Sequence, residues 1–358
     1  MANIETNHLT EKVLIKGNEA IAKAAIAAGC RFYAGYPITP QNEIPEYMSL
    51  AMPESGGVFI QAESEIAAIN MVYGAAAAGV RAMTSSSSPG ISLKQEGLSF
   101  LAGAELPAVI INVQRGGPGL GNISGSQADY FQAVKGGGHG DYKLLVYAPY
   151  NVQEMWDLTM LAFDKADQYR TPVMILADGI LGQMMEPLTT TPYVMPPLPQ
   201  KTWALTGCRG RTPNVIKTLY MGDEELERLN NVLQEKYRTI REKEVRFEAL
   251  DIDDAGIVVV AFGIAARIAH SAVAALRKEG KKVGLFRPIT LFPFPGDALM
   301  SLTGSRRKFV VVELNSGQMV EDVRLSVNGK SEVLFYGRPG GAMMKPNEVH
   351  DFISKIYM

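Results

Sequence analysis

Short apolar runs alternate with helix-like segments from residue 19 to about residue 178. The apolar runs are VRAMTSS, PAVIINVQ, KLLVYAP and TPVMILAD. Between them, ISLKQEGLSFLAGAEL and VQEMWDLTMLAFDKADQY carry apolar residues three and four positions apart, and Asn151 is expected to cap the second helix. Such an alternation is typical of a parallel sheet connected by crossover helices. The sequence therefore predicts an α/β fold.

A second, shorter alternation follows an interruption. A proline-rich stretch begins at Pro187, and GDEELERLNNVLQEKYRTIREKEVRF then reads as a long charged helix. The runs GIVVVAFG, KKVGLFRP, RKFVVVELN and SEVLFYG indicate another α/β unit. We expect a first domain over residues 1–190, a linker region with the charged helix over 191–253, and a smaller second domain over 254–358.

Charge and cysteine content exclude several classes of protein. Lys plus Arg number 35 against 37 Asp plus Glu, a formal charge of -2, so neither nucleic acid nor an anionic membrane is an expected partner. Cys30 and Cys208 form no CxxC pair, disulfide framework or cluster-binding run, and no metal site is expected in this chain. The polar start and the absence of a long apolar run predict neither export nor a membrane span. A reducing, cytoplasmic location is expected.

Two carboxylates lie at the start of an alanine-rich helix in QAESEIAAINMVYGAAAAG. At helical spacing Glu65 aligns with Ile69 and Val72, which should face the core, whereas Glu63 falls on another face. One interpretation is that Glu65 stabilises the positive end of the helix dipole, by roughly 0.3 to 1 kcal/mol. The other is that an apolar pocket holds this carboxylate ready to hydrogen-bond a ligand nitrogen. The helical pattern leaves both open.

Three further segments follow predicted strands, where ligands gather in open α/β sheets. In YPITP two prolines fix the loop that presents Thr39, and TSSSSPG supplies hydroxyls at a strand-to-helix turn. Arg115 follows PAVIINVQ and precedes a glycine-rich loop, a position suited to binding a carboxylate. The alternatives are a simple capped turn and a surface arginine. The glycine-rich loop also suggests a dinucleotide site, but its glycines lack the GxGxxG spacing.

Taken together and in this order, YPITP, ESEIAAINMVYGAAAAG, TSSSSPGISLKQEGL and NVQRGGPGLG resemble the alpha subunit of thiamine-diphosphate-dependent 2-oxoacid:ferredoxin oxidoreductases. The resemblance covers nearly the whole chain. It implies a pyrimidine-binding first domain and a transketolase C-terminal-like second domain. It also implies that Glu65 bonds N1′ of the aminopyrimidine, and that Thr39 and Arg115 face the substrate. Four further residues are expected near the cofactor: Tyr36, Pro37, Ser87 and Ser88.

The implied reaction is oxidative decarboxylation of a 2-oxoacid to acyl-CoA and carbon dioxide, with ferredoxin as electron acceptor. The loop GLGNISGSQADYFQAVKGGGHGDYK is most similar to the branched-chain, 3-methyl-2-oxobutanoate type. The alternative substrate is 2-oxoglutarate, whose distal carboxylate needs another cation; Lys135 is the nearby candidate. A non-catalytic scaffold and a nucleotide-dependent dehydrogenase are more remote alternatives.

The family resemblance also implies partner subunits. Such enzymes hold the diphosphate and Mg²⁺ with a GDG motif and a later asparagine pair, which GDEELERLNN imitates only superficially. We expect a beta subunit to hold these groups and a small ferredoxin-like subunit to hold the iron–sulfur clusters. The thiamine diphosphate site would be shared between subunits, the chain would dimerise within the complex, and it would be inactive alone.

Overall fold

The computed structural model describes residues 11–304 and 307–357. Its first part contains strands formed by the apolar runs, together with shorter ones. They are, in chain order, β1 (Glu11–Lys16), β2 (Phe32–Gly35), β3 (Val58–Gln61), β4 (Ala82–Ser86), β5 (Ala108–Gln114), β6 (Leu145–Tyr147), β7 (Pro172–Asp178) and β8 (Met185–Thr190). Strands β4, β5 and β7 are buried on both faces, as expected for a parallel sheet covered by helices.

Helices connect these strands. They are α1 (Gly17–Ala27), α2 (Glu43–Glu54), α3 (Glu65–Ala77), α4 (Ser88–Gly103), α5 (Tyr130–Val134), α6 (Val152–Tyr169) and α7 (Gly179–Gln183). The predicted cap of α6 is present, because the Asn151 side chain accepts the Glu154 N–H at 2.7 Å. Strands β1 and β8 pair antiparallel as a separate ribbon.

The region between the two alternations has no helix or strand from residue 191 to residue 222 and then forms α8 (Asp223–Lys243). Buried charges attach the irregular part to the rest of the chain. Arg81 pairs with Asp164 and Asp167, each at 2.8 Å, and also donates to the Tyr193 hydroxyl. Lys201 pairs with Asp167 at 2.6 Å. The proline-rich stretch is therefore fixed against the first sheet by its polar side chains.

The second part is a smaller α/β unit. Its elements are β9 (Phe247–Leu250), β10 (Ile257–Val260), α9 (Gly263–Lys278), β11 (Val283–Pro288), β12 (Thr290–Phe292), α10 (Gly296–Ser301), β13 (Lys308–Glu313), α11 (Met319–Val327), β14 (Val333–Gly337) and α12 (Pro346–Tyr357). Five strands form a sheet in the order β14-β13-β10-β11-β9, parallel except for β9. The α/β class and the two mainly parallel sheets agree with the sequence prediction.

Two short strands cross the expected domain boundaries. β9 lies within residues 191–253 but pairs with β11, where Phe247 stacks on Phe286 at 4.9 Å. β12 lies within residues 254–358 but pairs antiparallel with β6, and so extends the first sheet to the order β12-β6-β7-β5-β4-β2-β3. Both pairings join residues far apart in the chain, which local patterns do not reveal. No helix within the described residues is both long and apolar enough to cross a bilayer.

Candidate active site

The predicted site segments meet because their strands are neighbours. The first sheet places β5, β4, β2 and β3 side by side and parallel, so their carboxyl ends lie along one edge. Arg115 follows β5, β4 ends within the serine run, YPITP follows β2, and α3 begins shortly after β3. This edge is where ligands of open α/β sheets bind.

Glu65 is the first residue of α3, after the N-cap Ser64, whose hydroxyl accepts the Ala67 N–H at 3.1 Å. Its side chain is buried, with 6% exposure, whereas Glu63 is exposed, as the helical spacing predicts. Within residues 11–304 and 307–357 the Glu65 carboxylate has no hydrogen-bonding side chain or backbone partner. It faces a cleft instead. A buried carboxylate without a protein partner is typical of a ligand-binding group.

The start of α4 approaches Glu65 closely at Gly90. A Cβ atom at Gly90 would lie 2.7 Å from Oε1 of Glu65 and still closer to the hydroxyl of Ser86. Only glycine fits there without a shift. The Ser86 hydroxyl is buried and has no hydrogen-bond partner among the described residues. Glu65 and Gly90 line the same cleft, so the start of α4 approaches the carboxylate through a residue that has no side chain.

Arg115 is buried at the end of β5, and backbone carbonyls fix its guanidinium. Nη1 donates to the carbonyl of Thr39 and Nη2 to that of Leu120, both at 2.9 Å. Nε is buried without a hydrogen-bond partner in the part of the chain that the structure describes. The arginine does not close the strand as a solvated surface charge. Its orphaned N–H could serve an anion.

Glu65 and Arg115 line one cleft of about 480 Å³. The other large side chains around it are apolar: Tyr36, Pro37, Ile38, Leu93, Leu120 and Ile123. Leu120 and Ile123 are 79% and 64% exposed, so one side of the cleft is open. The arrangement combines one acid, one cation and an aliphatic wall.

The remaining predicted residues occupy different positions. Tyr36 and Pro37 line the same cleft. Thr39 is half-buried and contacts the cleft through Arg115, while its hydroxyl accepts from Asn42 at 3.4 Å. Ser87 is the N-cap of α4, and its buried hydroxyl lacks a partner among the described residues. Ser88 lines a neighbouring cleft that shares Arg115.

Two residues near these segments do not contribute to the site. Ile66 follows Glu65 directly but is 49% exposed, because it lies about 100° away from the buried face of α3. Lys135 does not line the Glu65 cleft. It pairs with Asp322 beside a separate cleft near β12, and so adds no cation to this site.

Sequence reasoning missed a buried lysine next to the site. Lys94 of α4 is fully buried and donates from Nζ to Oγ1 of Thr84 at 2.7 Å and to the carbonyl of Ser85 at 3.1 Å. Burial lowers the pKa of Lys94 to about 7, opposed by the nearby Glu65 charge. The stretch ISLKQEG mixes apolar, polar and charged residues, and it gave no signal that this lysine is buried.

These residues fit the pyrimidine half of thiamine diphosphate. The unpaired Glu65 carboxylate could meet a ring nitrogen, and the aliphatic side chains could cover the ring faces. No set of three or more His, Cys, Asp or Glu that could hold a metal occurs within the described ranges.

Comparison with known proteins agrees with this geometry. Residues 23–236 match the family "pyruvate flavodoxin/ferredoxin oxidoreductase, thiamine diphosphate-binding", and residues 255–349 match "pyruvate:ferredoxin oxidoreductase core domain II". The chain is 54% identical over 343 residues to ketoisovalerate oxidoreductase subunit VorB of Methanothermobacter thermautotrophicus, covering 96% of both chains. It is 39% identical to 2-oxoglutarate synthase subunit KorA of Methanothermobacter marburgensis, covering 95% of this chain and 98% of that one.

Solved structures show the same architecture. A 2-oxoglutarate:ferredoxin oxidoreductase from Magnetococcus marinus superposes with a TM-score of 0.87 at 26% identity, covering 97% of this chain but 65% of that longer one. A split-gene transketolase superposes with a TM-score of 0.58 at 13% identity, a likeness of fold alone. With both family matches and the close relatives, the chain belongs to the 2-oxoacid:ferredoxin oxidoreductase family, as an alpha-type subunit.

Proposed function

We propose that this chain is the alpha-type subunit of an enzyme that oxidatively decarboxylates a branched-chain 2-oxoacid, 3-methyl-2-oxobutanoate, to acyl-CoA and carbon dioxide with ferredoxin as acceptor. The observation that carries the proposal is the single cleft in which a partnerless buried Glu65 and a fixed Arg115 face an aliphatic wall. The identity to the ketoisovalerate oxidoreductase subunit supports the same substrate.

Glu65 is proposed to hydrogen-bond N1′ of the aminopyrimidine. Thiamine diphosphate, when bound, supplies the carbon nucleophile for the keto carbon of the substrate. Glu65 would favour the ring tautomer whose exocyclic nitrogen can accept a proton. Burial strengthens this role, because leaving a polar group unpaired in such surroundings costs about 1 to 3 kcal/mol. Pro37 and Tyr36 would position the ring from the other side of the cleft.

Arg115 is proposed to bind the substrate carboxylate through Nε and the free N–H groups of its fork. The carbonyls of Thr39 and Leu120 hold the guanidinium in place beforehand. Leu93, Leu120 and Ile123 offer apolar contact to a branched aliphatic side chain. A distal carboxylate, as in 2-oxoglutarate, would meet no second cation among the described residues that line the cleft, since Lys135 pairs with Asp322 beside another cleft.

The open side of the cleft supports a shared cofactor site. Leu120, Ile123 and Leu93 are exposed beside it, and covering them would contribute roughly 25 cal/mol for each Å² removed from water. We propose that a beta subunit covers this surface and brings the diphosphate and Mg²⁺ ligands, and that a ferredoxin-like subunit brings the iron–sulfur clusters. The expected domain division, dimerisation within the complex and cytoplasmic location remain predictions alongside this proposal.

The test is a dye-reduction assay of the complex purified with its natural subunits, over a panel of 2-oxoacids with CoA. Highest kcat/KM for 3-methyl-2-oxobutanoate supports the proposal, and a preference for 2-oxoglutarate would replace it with the alternative. A complex with no CoA-dependent reduction on any 2-oxoacid would indicate a scaffold. Reduction that requires a nicotinamide nucleotide would indicate a dehydrogenase.

Calorimetry with the purified chain tests the shared site separately. We expect weak or undetectable thiamine diphosphate binding with Mg²⁺, and tight binding once the beta subunit is added. Tight, magnesium-dependent binding by this chain alone would contradict the division of the site between subunits.

A further inference from the structure

The second domain holds the loop that follows Arg115. Gln127 of this loop donates its backbone N–H to the carbonyl of Leu314 at 3.0 Å, and its side-chain Oε1 accepts the Leu314 N–H, also at 3.0 Å. Its Nε2 donates to the carbonyl of Phe262 at 2.7 Å. Asn315 donates to the Gln127 carbonyl at 2.8 Å. The second domain thus supplies all of these hydrogen-bond partners of the buried Gln127.

Further bonds from the second domain lie on either side of Asp129. The Gln318 side chain donates from Nε2 to the carbonyl of Ala128 at 2.7 Å, and its Oε1 accepts the Phe131 N–H at 2.8 Å. The Tyr130 hydroxyl donates to Asp322 at 2.6 Å. The backbone around Asp129 is therefore anchored outside the domain to which it belongs.

Asp129 points back into the first domain. Its Oδ2 accepts from the Ser88 hydroxyl at 2.6 Å and from Nδ2 of Asn112 at 2.9 Å. Its own N–H donates to Oε1 of Gln114 at 3.1 Å. Burial raises the pKa of Asp129, and the bonds from Ser88 and Asn112 oppose that rise. This half-buried acid thus makes its hydrogen bonds with β5 and with the start of α4.

Ser88 connects Asp129 to Arg115. The Ser88 hydroxyl oxygen accepts the Arg115 backbone N–H at 3.0 Å. Its single proton has two acceptors in reach, Asp129 at 2.6 Å and the Arg115 carbonyl at 3.2 Å, and the shorter, charge-assisted bond dominates. With its proton committed to Asp129, the oxygen lone pairs of Ser88 stay directed at the Arg115 N–H.

We propose that Asp129 is a positioning residue for substrate binding: through Ser88 it fixes the backbone of Arg115, and the second domain holds Asp129 in place. The inference rests on the proposed role of Arg115 and gives the second domain a function in that site. The carbonyls of Thr39 and Leu120 hold the guanidinium of Arg115. The Ser88–Asp129 pair holds its backbone.

Asp129→Ala in the complete complex is the primary test. Loss of the anchor should raise KM for the 2-oxoacid by about 10- to 100-fold, the range for misplacement of a positioning group, with a smaller change in kcat. Asp129→Asn should restore most of the wild-type KM, because an amide oxygen can accept the same two bonds. Asp141→Ala, which removes an exposed acid from the loop after α5, is the matched control and should leave KM unchanged.

Hydrogen–deuterium exchange supplies a readout that does not depend on turnover. Asp129→Ala should increase uptake in peptides containing Arg115 and residues 126–131, and leave peptides from β7 unchanged. Gln318→Ala, which removes two anchors from the second domain, should raise uptake in the same peptides and raise KM in the same direction. A uniform rise across the first sheet, with unchanged KM, would mean that Asp129 is only a stabilising residue.

Arg115→Met separates this inference from the proposed function. If Arg115→Met raises KM but Asp129→Ala does not, the positioning role fails and the proposed function stands. If Arg115→Met leaves KM unchanged, the carboxylate-binding role itself fails. Should Asp129→Ala not assemble, Ser88→Ala removes the link while keeping the Asn112 bond to Asp129. Unchanged exchange at Arg115 in that variant would also overturn the inference.

Discussion

Two buried glutamates place their carboxylates at the starts of helices and differ in their partners. Glu313 ends β13, and its carboxylate accepts the N–H groups of Met319 and Val320 at 2.8 and 3.0 Å and the side chain of Asn315 at 2.9 Å. Glu65 begins α3, and its carboxylate meets no hydrogen-bond donor among the described residues. The first acid caps a helix, and the second faces a cleft.

The difference teaches how to separate a structural acid from a ligand-binding one. Both side chains are nearly inaccessible, so burial alone does not distinguish them. Burial raises the pKa of Glu313, and its protein donors oppose that rise. Glu65 has no such hydrogen-bond donors among the described residues, and a buried polar group without a partner is costly, so a ligand is needed to pair it. Removing each acid should therefore affect different properties.

Glu65→Gln should produce the largest effect in catalysis. In the assembled complex we expect proton–deuterium exchange at C2 of bound thiamine diphosphate to slow by on the order of 10² to 10⁴, as for loss of an acid–base contribution. The free energy of unfolding should change little, since the carboxylate makes no hydrogen bond to the residues that the structure describes. Glu63→Gln, two residues earlier and exposed, is the control. Wild-type exchange in Glu65→Gln would remove Glu65 from this role.

Arg115→Met should have the second-largest effect on catalysis. A desolvated arginine–carboxylate contact is typically worth about 2 to 5 kcal/mol on truncation, so kcat/KM should fall for every 2-oxoacid alike. Lysine should rescue only in part, because a point charge does not reproduce the fork. Steady-state kinetics over several 2-oxoacids measures both variants. Unchanged kcat/KM in Arg115→Met would show that the cleft binds substrate through other groups.

Glu313→Ala should affect stability instead. Its removal leaves several buried donors unpaired, and we expect the free energy of unfolding to fall by about 3 to 5 kcal/mol. Urea unfolding followed by tryptophan fluorescence measures this loss. Glu332→Ala, an exposed partner of Lys308, should change it by less than about 0.5 kcal/mol. A loss no larger than that of the control would mean that the cap contributes nothing.

Helical and strand periodicity sufficed for the parts of the site that depend on local structure. The 3.6-residue repeat separated Glu65 from Glu63, and the ends of the apolar runs placed Arg115 and the serine run at strand termini. The adjacency of β5, β4, β2 and β3 then brings these termini together. The same repeat correctly placed the Asn151 cap.

Residues whose role depends on distant partners were not predictable in this way. Asp129 bonds Ser88, 41 positions earlier, and its loop is anchored by residues almost 190 positions later. Lys94 lies in a helical segment whose pattern is equally compatible with an exposed lysine, and only the packing of the helix against the sheet buries it. The short β12 joins a sheet formed by another domain. Each of these features is set by tertiary pairing, which overrides local pattern.

Asp178 extends the comparison to an acid that is buried and capped by backbone N–H groups but lies in the first domain. Its Oδ1 accepts from Ile180 and Leu181 at 2.9 and 3.1 Å, yet burial raises its pKa to about 6. Between about pH 4 and pH 6 the Asp178 carboxyl holds a proton in the native state but has lost it in the unfolded state. This group therefore makes the free energy of unfolding fall as pH rises through that range, and it contributes no pH dependence above it.

Asp178→Asn should remove that slope while keeping an N-cap of similar strength. From pH 4 to pH 7 the wild type should lose up to about 3 kcal/mol of unfolding free energy relative to the variant, at about 1.4 kcal/mol per pKa unit. Urea unfolding at several pH values measures this shift, and taking the difference cancels every group that both chains share. Parallel curves would show that the pKa of Asp178 is the same in the native and unfolded states, because its backbone N–H donors fully offset the effect of burial.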